Sequence, residues 1–152
     1  MMRHYELYIV EEDVARQYYG QESKLFYLFL EHEKVRGSQK EILRKQIEYI
    51  TKPIPSLLLQ QKLKQDLTKI DGYRKKKNNH VIEIAERDSK AELVIGADAL
   101  YLTAKGTYEV ETLFFEILRK VEPSFFAFSI DDHRFGWLKP LKQEDFLRMN
   151  QV

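Results

Sequence analysis

From residue 3 to residue 10 the chain alternates: Tyr5, Leu7 and Ile9 fall on one side, His4, Glu6, Tyr8 and Val10 on the other. This period of two predicts a strand. From Glu11 the period lengthens, and Val14, Ala15, Tyr18 and Tyr19 share one helical arc. Glu11, Glu12 and Asp13 sit in its first turn, where the helix dipole favours acids, and Gly20 supplies a stop. A second helix is expected over 21–36, with Leu25, Phe26, Leu28, Phe29 and His32 clustered and Gly37 closing it.

Ser38-Gln39-Lys40-Glu41 has the spacing of a capping box and predicts the start of a third helix. Leu43, Gln46, Ile47 and Ile50 form its main arc, Ile42 and Tyr49 one flank, while Arg44, Lys45 and Glu48 point elsewhere. Pro53 and Pro55 end it, because proline lacks the amide hydrogen and disfavours helix in the residue before it. Pro55 then suits the first turn of a fourth helix through Leu58, Leu59, Leu63 and Leu67.

Residues 71–79 contain Gly72 and are otherwise polar and basic, so they read as a mobile basic loop. Strand patterns follow over 80–85, 92–95 and 99–103, with Gly96-Ala97-Asp98 as a hairpin turn between the last two. Thr107 is placed to cap a fifth helix with Glu109 and Glu111 in its first turns and Arg119 and Lys120 in its last. Phe126, Phe128 and Ile130 alternate, Asp131-Asp132 turns, and Phe135 and Trp137 return as a closing hairpin. The tail from Gln143 adds at most a turn of helix, and residues 150–152 are expected to be disordered. The pattern predicts an α+β single domain over residues 1–152, a small, mainly antiparallel sheet packed with about five helices around one core.

Composition narrows the function classes. With 43% hydrophobic residues the chain has material for a core, and a net charge of +1 provides no global field toward nucleic acid or an anionic membrane. The absence of cysteine excludes a disulfide framework, a thiolate zinc site and a cysteine nucleophile, and suits a reducing cytosol. No apolar run reaches the roughly 18 residues of a membrane span, and the start lacks the apolar core of a secretory signal. A cytoplasmic protein without membrane contact is expected.

Candidate chemistry is sparse. No glycine-rich phosphate loop is present. Glu31-His32-Glu33 lacks the second histidine one turn later that a zinc helix needs, since position 36 is Arg, so His32 reads as half-buried on an amphipathic helix. Asp131-Asp132-His133 holds the ingredients of acid–base chemistry, but adjacent residues in a tight turn diverge, and Asp is favoured there for its own backbone bonds. Arg74, Lys75, Lys76 and Lys77 could touch phosphates, with only Tyr73 nearby to stack on a base. A nucleic-acid-binding module built on these four cations is the alternative to a protein-binding function. Val14, Tyr18 and Tyr19 crowd two turns of a short helix, and Tyr18 fits either the core or a protein interface, where tyrosine is enriched. These residues favour a binding protein over an enzyme, with no cofactor and no metal.

Several longer segments carry a resemblance: Arg3-His4-Tyr5, Tyr18-Tyr19-Gly20-Gln21-Glu22-Ser23, Lys45-Gln46-Ile47-Glu48-Tyr49-Ile50-Thr51-Lys52-Pro53-Ile54-Pro55, Tyr108-Glu109-Val110-Glu111-Thr112-Leu113-Phe114-Phe115-Glu116-Ile117-Leu118-Arg119-Lys120-Val121, and Arg134-Phe135-Gly136-Trp137-Leu138. In this order they resemble the SirA family of sporulation inhibitors of replication, from about residue 3 to residue 140, with 71–100 matching poorly. The resemblance implies a non-enzymatic protein, made on entry into sporulation, that binds the N-terminal interaction domain of the replication initiator DnaA. It implies no small-molecule substrate. It implies a partner face on the first helix and the exposed side of the third, which brings Val14, Tyr18 and Glu48 forward. Val14 stands where the family carries a larger aromatic residue, and Glu48 where it carries an amide.

Overall fold

The computed structural model describes residues 1–139; the expected helical turn from Gln143 and the disordered 150–152 lie outside them. Strand β1 (Arg3–Val10) leads into α1 (Glu12–Gln17), α2 (Glu22–Lys34) and α3 (Ser38–Ile50). A two-residue strand β2 (Thr51–Lys52) precedes α4 (Ser56–Leu67). Then come β3 (Tyr73–Lys76), β4 (Asn79–Ile84), a short 3-10 turn, β5 (Ser89–Ile95), β6 (Leu100–Lys105), α5 (Glu109–Val121), β7 (Phe125–Ser129) and β8 (Arg134–Trp137). The eight strands form one sheet in the order β3-β4-β5-β6-β1-β7-β8, every pairing antiparallel, with β2 beside β1. The expected α+β class therefore stands, with five α-helices among the described residues and a sheet larger than the pattern suggested.

The alternation read in β1 places its two sides in different layers. Tyr5, Leu7 and Ile9 face α4 and α5, joining Leu59, Leu63, Leu67, Val110, Phe114 and Leu118 in one apolar cluster. Val10 joins Ala15, Leu25, Phe26, Phe29, Leu30 and Ile47 in a second. Neighbouring β7 repeats the division, Phe125 and Ala127 to the first cluster, Phe126 and Phe128 to the second. The single expected core is thus two half-cores on opposite faces of one sheet, because β7 is apolar on both sides and the end of β1 adds Tyr8 and Val10 to the second face, so each side demands a cover.

Three local readings are corrected. Residues 71–79 are not a loop throughout, since they hold strand β3 and the turn into β4: β3 pairs with β4 through Tyr73↔Ile82, Arg74↔Val81, Lys75↔His80 and Lys76↔Asn79. The polar composition hid it, since an edge strand needs few apolar side chains. The capping box at Ser38 does not form, because the Glu41 carboxylate turns to Arg44 and the helix starts from Gly37 at φ 70° without a side-chain cap. Thr107 does not cap α5 either: its amide donates to Ser89 Oγ at 2.8 Å, and the helix begins after Tyr108.

Helix α5 is seated on β1 by a buried ion pair. Glu111 accepts hydrogen bonds from Arg3 Nε (2.7 Å) and Nη2 (2.5 Å) and from the Tyr5 hydroxyl (2.6 Å). Burial and the Glu111 contact push the Tyr5 phenol up to about 12.

Candidate partner-binding surface

Helix α3 carries Ile42, Leu43, Ile47, Tyr49 and Ile50 in thirteen residues, yet only Ile47 is buried. Tyr49 is 84% exposed and Ile42 58%. Of the main arc of α3 only Ile47 and Ile50 join the second cluster, while Ile42 and Tyr49 stay exposed.

Between that outward side and the end of α1 lies an open apolar groove of about 480 Å³, walled by Tyr18, Leu28, Ile42, Gln46, Tyr49 and Ile50, with Lys45 at its rim. Gly20 makes the wall possible. Its φ of 79° lets the chain reverse directly after α1. The turn is held by the Tyr18 amide on the Val14 carbonyl (3.0 Å) and the Gln21 amide on the Tyr18 carbonyl (2.8 Å). Glu22 accepts from the Gly20 amide (3.1 Å) and from the Trp137 indole N–H (3.2 Å), tying the turn to β8.

Tyr18 is half-buried, one part packed on the second cluster and one part lining the groove. Val14 is half-buried against that cluster, one turn before Tyr18 on the same helix. Glu48 is exposed but does not line the groove. It lies about 100° around α3 from Tyr49, bonded to Arg44, which also holds Glu41. Its flank borders a different recess with Tyr8, His32, Lys52 and Asp98. The structure thus joins Tyr18 and the end of α1 to Ile42 and Tyr49, and sets Glu48 beside that surface.

Ile42 and Tyr49 are the groove residues the sequence reading passed over. The available signal was their position off the main apolar arc, where large apolar side chains have no core to enter. Contiguous exposed apolar surface on a folded domain marks a place where another molecule sits.

The other candidates are quiet. Asp131, Asp132 and His133 are exposed in the β7–β8 turn, with His133 at φ 51°. Among the described residues no group of three or more His, Cys, Asp or Glu side chains is arranged to hold a metal, and no helix is long and apolar enough to cross a membrane.

The sequence comparisons agree with the resemblance. The family model described as sporulation inhibitor of replication protein SirA matches residues 3–142. A protein of that name from Bacillus subtilis (strain 168) is 40% identical over 149 residues, covering 97% of this chain and 100% of its own. A match of that length takes in β1, the α1–α2 turn, the groove helix and the α5 anchor together, and on it the chain belongs to the SirA family.

Proposed function

We propose that this protein inhibits initiation of chromosome replication during sporulation by binding the N-terminal interaction domain of the initiator DnaA. It occupies a surface that domain needs for self-assembly or for recruitment at the origin. Inhibition is by occupancy, with no turnover, no cofactor and no small-molecule substrate, in the cytoplasm. The observation that carries the reading is the apolar groove between α1 and α3 in a chain of this family, with Tyr49 almost fully exposed beside half-buried Tyr18. Tyrosines at a groove wall are the kind of anchor that dominates protein–protein binding energy. Val14 supports Tyr18 from within, and Glu48 extends the surface along α3 as a charged border that tunes partner choice.

The test is calorimetric titration of the purified protein with the N-terminal domain of its own species' initiator. Association with a Kd in the micromolar range or tighter is expected. A Kd weaker than tens of micromolar, about −6 kcal/mol, refutes the reading.

A further inference from the structure

The charge of this nearly neutral chain is unevenly placed. Between residues 60 and 83 seven Lys and Arg stand against three Asp and Glu, and the excess is concentrated on β3 and the turn that follows it. β3 is the outermost strand of the sheet, so one of its edges has no partner strand among the described residues. Arg74 is neutralised across the hairpin by Glu83 at 3.2 Å. Lys75, Lys76 and Lys77 are exposed and make no ion pair among the described residues.

Two features set these cations apart from a solvated tail. The first is rigidity. The Tyr73 hydroxyl bonds His80 Nδ1 at 2.8 Å, His80 Nε2 bonds Gln60 Oε1 at 2.5 Å, and Gln60 Nε2 donates to Asn78 Oδ1 at 3.3 Å. One glutamine of α4 therefore fastens both the body and the tip of the hairpin. The second is the tip itself. Lys76 pairs with Asn79, leaving Lys77 and Asn78 as a two-residue turn, and Lys77 takes φ 53°. Glycine or asparagine relieves that conformation, and a lysine there keeps a charge at the expense of backbone ease.

We propose that the β3–β4 hairpin is a second contact surface, which holds the phosphate backbone of duplex DNA through Lys75, Lys76 and Lys77. Lys75 and Lys76 leave opposite faces of β3 and Lys77 sits at the tip, so the three cations surround the end of the hairpin. The contact is electrostatic and independent of sequence, since lysines match phosphates as point charges and carry no base-reading fork. A two-stranded ribbon is also of a width that a DNA groove admits. Four strand spacings, about 19 Å, separate β3 from β1, so the hairpin does not compete with the groove between α1 and α3. The choice of duplex as the polyanion rests on the proposed function, because an inhibitor seated on an initiator works beside origin DNA.

The experiment needs no initiator, so its failure is separate from failure of the partner-binding reading. Full-length protein is titrated onto a short fluorescein-labelled duplex, reading anisotropy at salt from about 50 to about 200 mM. Three phosphate contacts predict a log–log slope of about −2.7, a fall in affinity of roughly fortyfold over that range. Lys77→Gly is the decisive variant: the slope should flatten by about 0.9 while the thermal midpoint stays level or rises, since glycine suits the turn. Tyr49→Ala should bind the duplex as the wild type does. Three results would overturn the proposal. One is an absence of binding at low salt, with a Lys75, Lys76 and Lys77 to Ser triple variant that self-associates, which makes the lysines guards of an open edge. The second is a Lys77→Gly slope equal to wild type. The third is poly-glutamate or phosphatidylserine vesicles binding as tightly as the duplex, which makes the surface a general cation patch.

Discussion

Truncating Tyr49 to alanine separates binding from folding more cleanly than any other change in the groove. The side chain is 84% exposed, so its removal takes almost nothing from either half-core. Surface substitutions of this kind shift stability by no more than about 0.5 kcal/mol, a change of under about 2 °C in a domain of this size. A tyrosine buries roughly 150–250 Å² when fully covered. If a partner covers half of what is now open, some 80 Å² leaves water, worth about 2 kcal/mol at about 25 cal/mol per Å². Calorimetry against the initiator domain should then show roughly thirtyfold weaker binding, with a melting curve that overlays the wild type. Tyr18→Ala is the contrast, because its ring belongs to the second cluster as well as the groove: it should lose about 1–2 kcal/mol of stability in addition to affinity. Unchanged affinity in Tyr49→Ala would show that the groove is not the docking surface. A midpoint several degrees lower would show that Tyr49 supports the fold, and the division between wall and core would fail.

The remaining predictions concern buried polar groups. Glu111→Ala removes the acceptor of the Tyr5 hydroxyl and the counter-charge of Arg3, which keeps only the Gly106 and Thr107 carbonyls, and urea unfolding should show a loss of about 3–5 kcal/mol; a loss under about 1 kcal/mol contradicts the role given to that pair. Glu6 is pushed up to about 7 by burial and then by the neighbouring Glu33, so its ionisation opposes folding as pH rises from 4.5 through 7. Glu6→Gln should be no more stable than wild type at pH 4 and about 1–2 kcal/mol more stable at pH 8, a difference reduced by the partial access of water. His80 is buried and held down to about 4 by desolvation and then by Lys75; its neutral form stabilises the fold above pH 6.5, and that contribution is lost as pH falls toward 4. His80→Gln should therefore be less stable than wild type at pH 7, with a deficit that narrows on acidification. A deficit that widens instead would mean that the histidine is charged in the folded state.

The elements of this protein were legible along the chain wherever one face of a segment meets a core. Period-two alternation marked β1, the clustered apolar residues of α2 marked a core-facing helix, the acids and bases at opposite ends marked α5, and Gly20 marked the end of α1, because each of these patterns is fixed by local geometry, by the helix dipole or by which side chains avoid water. Tyr18 was legible as a residue with two possible roles, and the segments shared with the SirA family pointed to Val14 and Glu48. What the tertiary structure decided was pairing and cover. The strand at 73–76 has an edge position that removes the apolar signature by which a strand is recognised. Glu41 and Thr107 had good capping positions, yet Arg44 and Ser89 claimed them. The groove depended on where α3 comes to rest: Ile42 and Tyr49 are large enough to fill a core, and they are surface because no other described element lies over them. Hydrophobicity is a property of the residue, but exposure is a property of the assembled chain, and the proposed partner surface lies where the two differ.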